Sequence, residues 1–237
     1  MKPQVTEKQW LEATNIHELH LFWTAKKQYR KWRLFGVACC RRAMALTPDL
    51  RFEHLAECAE KFADGAINWG GVKVVRKVMS SFRRELGDEF GPNEVKYATL
   101  DALDRASRLK PYDALGAVHE ARHSFAARVC KGRERDFTRD EWDLAHNTEE
   151  NEQMALAHDI FGNPFRHVSF SPEWRTSTVV SIARSMYDSR DFSPMPILAD
   201  ALQDAGCEHE DILAHCRDAN GTHVRGCWVV DLVLGKS

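Results

Sequence analysis

The chain has 237 residues, 43% hydrophobic and 29% charged, with 33 Lys+Arg against 35 Asp+Glu and a formal net charge of −2. These proportions are those of a globular protein with enough apolar material for a proper core, and the near-zero charge argues against a surface given over to nucleic acid. No apolar run approaches the roughly 20 residues that cross a bilayer. The opening Met1-Lys2-Pro3-Gln4-Val5-Thr6-Glu7 lacks the apolar core of a signal peptide, so a cytoplasmic chain without membrane contact is expected.

The dominant period along the chain is helical. Trp32, Phe35, Cys39 and Met44 predict a helix over 30–46, stopped by Thr47-Pro48-Asp49. Leu55, Cys58, Ala59, Phe62, Ala63 and Ala66 recur at i, i+3, i+4 and i+7, which places them on one face of a second. Val74, Val75, Val78 and Phe82 make a third stripe, bounded by Gly70-Gly71 and Gly87. Helices are expected over 94–108 and 112–130, separated by Lys110-Pro111. Thr138 followed by Glu141 has capping-box spacing and opens a helix towards Phe161. Gly162-Asn163-Pro164 is the clearest break in the chain.

Beyond it, Arg166 to Pro172 reads as a short extended connection with Val168 and Phe170 inward. Ser171-Pro172-Glu173 offers a cap, a first-turn proline and a favourable acid for the helix that carries Val179, Ile182, Ala183, Met186 and Tyr187. Pro194 and Pro196 precede another, with Ile197, Leu198, Ala201, Leu202 and Ala205 inward and Gly206 as its stop. A short helix from Glu210 to Arg217 and a turn at Gly221 follow. The apolar end, Cys227 to Leu234, suits helix or buried strand, and the lack of any alternating strand series favours helix.

The expected fold is therefore all-α, an irregular multi-helix domain over 1–237. Its core would be 1–90 and 155–237, with N- and C-terminal helices packed together and 91–154 a variable central helical excursion. Residues 1–50 carry 9 Lys/Arg and 4 Asp/Glu, whereas 151–237 carry 7 and 12, so the ends differ in sign and could attract each other. Phe35, Leu55, Phe62, Phe161, Trp174, Ile197, Leu202 and Trp228 are expected to dominate the packing.

Three constellations carry candidate chemistry. Lys26, Lys27, Arg30, Lys31, Arg33, Arg41 and Arg42 interleave with Trp23, Tyr29, Trp32 and Phe35, a pattern that suits nucleic acid. An amphipathic helix with solvated cations explains it equally simply and is preferred. His119-Glu120-Ala121-Arg122-His123 matches the His-Glu-x-x-His pattern of zinc peptidases, in which i and i+4 histidines share a helix face and the glutamate activates metal-bound water. It would need a third ligand from Glu149, Glu150 or Glu152, and Arg122 puts a cation inside the motif.

Cys207, His215, Cys216, His223 and Cys227 place five soft or borderline ligands within a short stretch, a set that could build a structural zinc site. Adjacent His215 and Cys216 cannot easily both ligate, and Cys216 also reads as a core residue. Seven cysteines in a cytoplasmic chain are expected to be reduced thiols. No glycine-rich phosphate loop and no Gly-x-Ser-x-Gly elbow occurs.

The blocks Lys31-Trp32-Arg33-Leu34-Phe35-Gly36-Val37-Ala38-Cys39-Cys40-Arg41-Arg42, Asp159-Ile160-Phe161-Gly162-Asn163-Pro164-Phe165-Arg166, Pro196-Ile197-Leu198-Ala199-Asp200-Ala201-Leu202 and His223-Val224-Arg225-Gly226-Cys227-Trp228-Val229-Val230-Asp231 resemble an uncharacterised family abundant in planctomycete bacteria. The Thr6-Glu7-Lys8-Gln9-Trp10-Leu11 opening is similar too. The resemblance covers both ends and implies that the middle is variable. That sets the C-terminal ligands nearer than His119, Glu120 and His123 to whatever the family does.

The leading expectation is a protein-interaction or scaffold module without catalysis, its partner another protein. A structural zinc domain is the first alternative and a metal-dependent hydrolase the second.

Overall fold

The computed structural model describes residues 6–14, 16, 28–87, 94–108, 111–131 and 138–236, and its regular structure among these is helical, with no strand. Among the described residues eleven α-helices are formed: α1 (Glu7–Glu12), α2 (Tyr29–Leu46), α3 (Leu50–Ala63), α4 (Trp69–Leu86), α5 (Glu94–Ala106), α6 (Pro111–Lys131), α7 (Arg139–Phe161), α8 (Ser177–Ser189), α9 (Met195–Asp204), α10 (Glu210–Arg217) and α11 (Trp228–Leu234). None of them is long and apolar enough to cross a membrane. The chain divides into two compact units, Met1–Met154 and Ala155–Ser237, and the division falls within α7.

In the first unit the helix starts follow local chemistry. Thr6 and Gln9 close a capping box on α1, the Gln9 N–H donating to Thr6 Oγ1 at 3.2 Å and the Thr6 N–H to Gln9 Oε1 at 2.9 Å. Asp49 and Asn68 cap α3 and α4 by accepting from the Arg51 and Gly71 N–H groups. Thr138 and Glu141 form the box expected at the start of α7.

Helix α2 is surrounded by α3, α5 and α6. That explains why Trp32, Leu34, Phe35, Gly36, Val37, Ala38, Cys39 and Cys40 are all buried, although consecutive residues point in different directions. The helices of 94–131 pack on α2 and on each other. Phase is where the sequence reading of α4 needs correcting. Val74 and Val78 are 64% and 58% exposed, and the buried line is Val72, Met79, Phe82 and Leu86. In α3, Ala66 falls beyond the helix end, and Phe52 and Ala56 take inward places.

The second unit has its own apolar core, in which Val179, Met186, Tyr187, Leu198, Leu202, Ile212, Val229 and Val233 meet Cys207, Cys216 and Cys227. Val168, Phe170 and Trp174 pack against it from the connection before α8. Ser171 and Pro172 start only a single 3-10 turn, Pro172–Trp174, and Thr176 caps α8 by accepting from the Val179 N–H. Ile197, expected inward, is 59% exposed, because the core side of α9 is set by Met195, Leu198, Ala199 and Leu202. The apolar C-terminal run is helix α11, and Arg175 donates to the Leu232 and Val233 carbonyls at its end.

Candidate metal centre

A site in the second unit gathers residues from three places in the chain. Asp159 stands in the last turn of α7, His215 on α10, and His223 and Cys227 in the turn that leads into α11. One ligand atom from each lies within 4.8 Å of all the others. His223 Nδ1 is 2.9 Å from Asp159 Oδ1, and His215 Nε2 is 3.2 Å from the same oxygen and 3.3 Å from Cys227 Sγ. The second carboxylate oxygen, Oδ2, accepts from the Val224 N–H at 2.9 Å.

Local structure explains how each group arrives. Gly162 ends α7 in the left-handed conformation, φ +63°, and a Cβ there would lie 3.0 Å from the Trp228 ring. The indole therefore sits directly on the helix end and also flanks His215, with ring centroids 5.2 Å apart. His215 and His223 meet edge to face at 4.8 Å. Gly221 leaves room for the His223 ring, whose Nε2 would be 3.1 Å from a Cβ at that position. On α10, adjacent residues diverge by roughly 100°. His215 joins the cluster while Cys216 turns into the core.

The electrostatics are unusual for an apolar core. Asp159 is 2% exposed and stands at the negative end of a helix, where an anion is disfavoured. Burial works against its ionisation, yet hydrogen bonds from His215 and His223 hold its carboxyl below the usual range. Burial pushes the Cys227 thiol well up, and Asp159 adds to the rise. His223 Nε2 is buried with no hydrogen-bond partner, so the ring is oriented by its Nδ1.

Two imidazoles, a carboxylate and a thiol converging in this way could hold a metal ion. Tetrahedral coordination at ordinary zinc distances puts ligand atoms about 3.3–3.6 Å apart, so an ion would need shifts of only a fraction of an ångström among the close pairs.

The C-terminal candidates read from the sequence thus separate. His215, His223 and Cys227 come together, whereas Cys207 and Cys216 lie in the apolar core with their thiols pushed up by burial, Cys216 to about 12. Asp159 was not among the candidates, although an acid in the last turn of a helix beside the Gly162-Asn163-Pro164 break is a signal in itself.

The His-Glu-x-x-His stretch lies on α6 in the first unit. Among the described residues, His119, Glu120 and His123 belong to no set of three or more ligand atoms placed for one ion. Glu120 pairs with Arg105 at 3.7 Å, and the ring of His123 packs on Trp142. The glutamates expected as a third ligand face arginines instead, Glu149 and Glu152 against Arg42 and Glu150 against Arg122. Nearby His146 is held neutral, its pKa lowered to about 4 by burial and by the charge of Arg122.

In the basic–aromatic stretch, Arg30 pairs with Asp64, Arg41 with Glu53 and Glu60, and Arg33 lies over the Phe62 ring. Trp23, Lys26 and Lys27 lie outside the described residues.

No protein-family model, curated protein or solved structure matches this chain.

Proposed function

We propose that the chain is a non-catalytic module whose C-terminal unit is stapled by one structural zinc ion held by Asp159, His215, His223 and Cys227. The observation that carries this reading is the convergence of four ligand groups of three kinds around one point beside an apolar core. A mixed nitrogen, oxygen and sulfur set suits zinc better than magnesium or calcium, which prefer oxygen alone. Four protein ligands fill a tetrahedral shell and leave no place for substrate or water, the mark of a structural rather than a catalytic site.

Zinc would also resolve the charge problem, placing a cation beside the buried Asp159 carboxylate and Cys227 sulfur. Asp159, His223 and Cys227 fall in the blocks that resemble the planctomycete family. Reduced thiols and a zinc-thiolate bond fit a cytoplasmic setting, and a module of this kind acts by presenting a fixed surface to another protein.

Elemental analysis of the purified full-length protein tests the proposal. One zinc per chain is expected, lost in Cys227→Ser and in His223→Ala and kept in His123→Ala. Cobalt exchange should give tetrahedral d–d absorption with a thiolate charge-transfer band that Cys227→Ser abolishes. Protein that neither carries nor takes up a stoichiometric metal ion, or that loses it equally through His123→Ala, overturns it.

A further inference from the structure

Between α4 and α5 lies a cavity of about 300 Å³ whose charged lining is almost entirely cationic. Lys73, Arg76, Lys77 and Arg83 come from α4, and Arg108 follows α5; Asp104 is the single carboxylate among them. Helical spacing produces the α4 contribution, since 73, 76, 77, 80 and 83 fall on one side of an α-helix. From the opposite wall Asp104, with a 9% exposed side chain, holds two guanidinium groups at once. Arg76 Nε donates to its Oδ1 at 2.8 Å, and the Arg108 guanidinium donates to Oδ2 at 2.6 Å. Arg83 is fixed by Asp101 at 2.7 Å.

Each arginine is thereby held in position before any ligand arrives, which lowers the entropy lost on binding. Against these five cations stand Asp104 in the lining and Asp101 and Asp113 beside it, which leaves an excess of two positive charges, and among the described residues the exposed Lys73 and Lys77 enter no ion pair.

We propose that this cavity binds the di- or triphosphate group of a small phosphorylated ligand. Fixed guanidinium forks suit phosphate oxygens, and mobile lysine ammonium groups close over the remaining charge. The volume is at the lower end of the range for small-molecule sites, and the polar lining offers little to a large apolar body. A nucleic-acid backbone is the less fitting occupant, because the chain as a whole carries a formal net charge of −2. The inference is independent of the metal centre, which lies in the other unit.

Calorimetric titration of the full-length protein with inorganic pyrophosphate, and separately with ADP, is the test. One saturable site is expected, weakened at least tenfold in the double variant Lys73→Ala/Lys77→Ala and unchanged within twofold in Lys8→Ala/Lys61→Ala, which removes the same charge elsewhere. Equal affinity for the two probes supports recognition of the phosphate chain alone, and tighter ADP binding supports a nucleotide. Should the double variant misfold, protection of Lys73 and Lys77 in the unmodified protein from acetylation by saturating pyrophosphate gives the same information. Absence of saturable binding, equal loss in the control pair, no protection, or binding of a single-stranded oligonucleotide without binding of pyrophosphate overturns the proposal.

Discussion

Asp159 carries more of the second unit's chemistry than any other single side chain. It is a buried acid at the unfavourable end of a helix, and it is stabilised there by the His215, His223 and Val224 donors. Replacing it with asparagine keeps its size and removes the charge. Asp159→Asn should therefore leave far-ultraviolet circular dichroism close to wild type while stoichiometric metal disappears from elemental analysis. Gly162 is constrained twice, by its positive φ and by the indole of Trp228. Gly162→Ala should cost about 1–3 kcal/mol in urea unfolding, since the left-handed strain and the steric contact add. Full stability in that variant would mean that the helix end and Trp228 are not in contact in solution.

At the level of elements, position relative to neighbours decides which apolar residues matter. On α4, Val78 faces solvent and Met79 lies inside, although the two are adjacent and both apolar. Val78→Ser should change stability by no more than about 0.5 kcal/mol, whereas Met79→Ala should cost about 2–4 kcal/mol. Thermal or urea unfolding of the pair reads the phase of the helix directly. Helices α2 and α7 are joined by Arg42, which holds the fully buried carboxylate of Glu149 and the half-exposed one of Glu152. Burial pushes the Glu149 carboxyl up, against the hydrogen bond and charge of Arg42. Removing the arginine strands a buried acid, so Arg42→Ala should destabilise by about 2–3 kcal/mol, more than an exposed pair would.

For the molecule as a whole, stability should respond to metal and to acid through different groups. If the centre binds zinc in the folded state only, free metal at about 1,000 times its dissociation constant adds about 4 kcal/mol. Chelation should lower the melting temperature of wild type and leave Cys227→Ser unmoved. The acid response has a component in the first unit. Burial acts against ionisation of Asp104, but the Arg76 and Arg108 contacts outweigh it and hold its carboxyl below the ordinary value. Its contribution is then complete above the ordinary carboxylate range and fades as the pH falls through that lowered folded-state value. Asp104→Asn should therefore be less stable than wild type near neutral pH and approach it on acidification, a convergence that urea midpoints measured from pH 7 downwards would show.

Helix existence and several helix ends were written locally, although Ser171-Pro172 opened only a 3-10 turn. The Thr138–Glu141 box, the stop at Gly206 and the limits Glu210–Arg217 could all be read from neighbouring residues, because capping and hydrogen-bond period depend on a few consecutive positions. Helix phase was not written there: Val74, Val78 and Ile197 suit an inward face as well as Met79 and Leu198 do, and the choice falls to whichever side a neighbouring helix covers. The candidate centre divides in the same way. His215, His223 and Cys227 stood out by residue type and proximity, but Asp159 lies 56 and 64 positions from its histidine partners. No spacing rule reaches that far. Folding of the chain back on itself brought the fourth ligand in and sent Cys207 and Cys216 into the apolar core, because side-chain direction at each position is fixed by packing and not by order along the backbone.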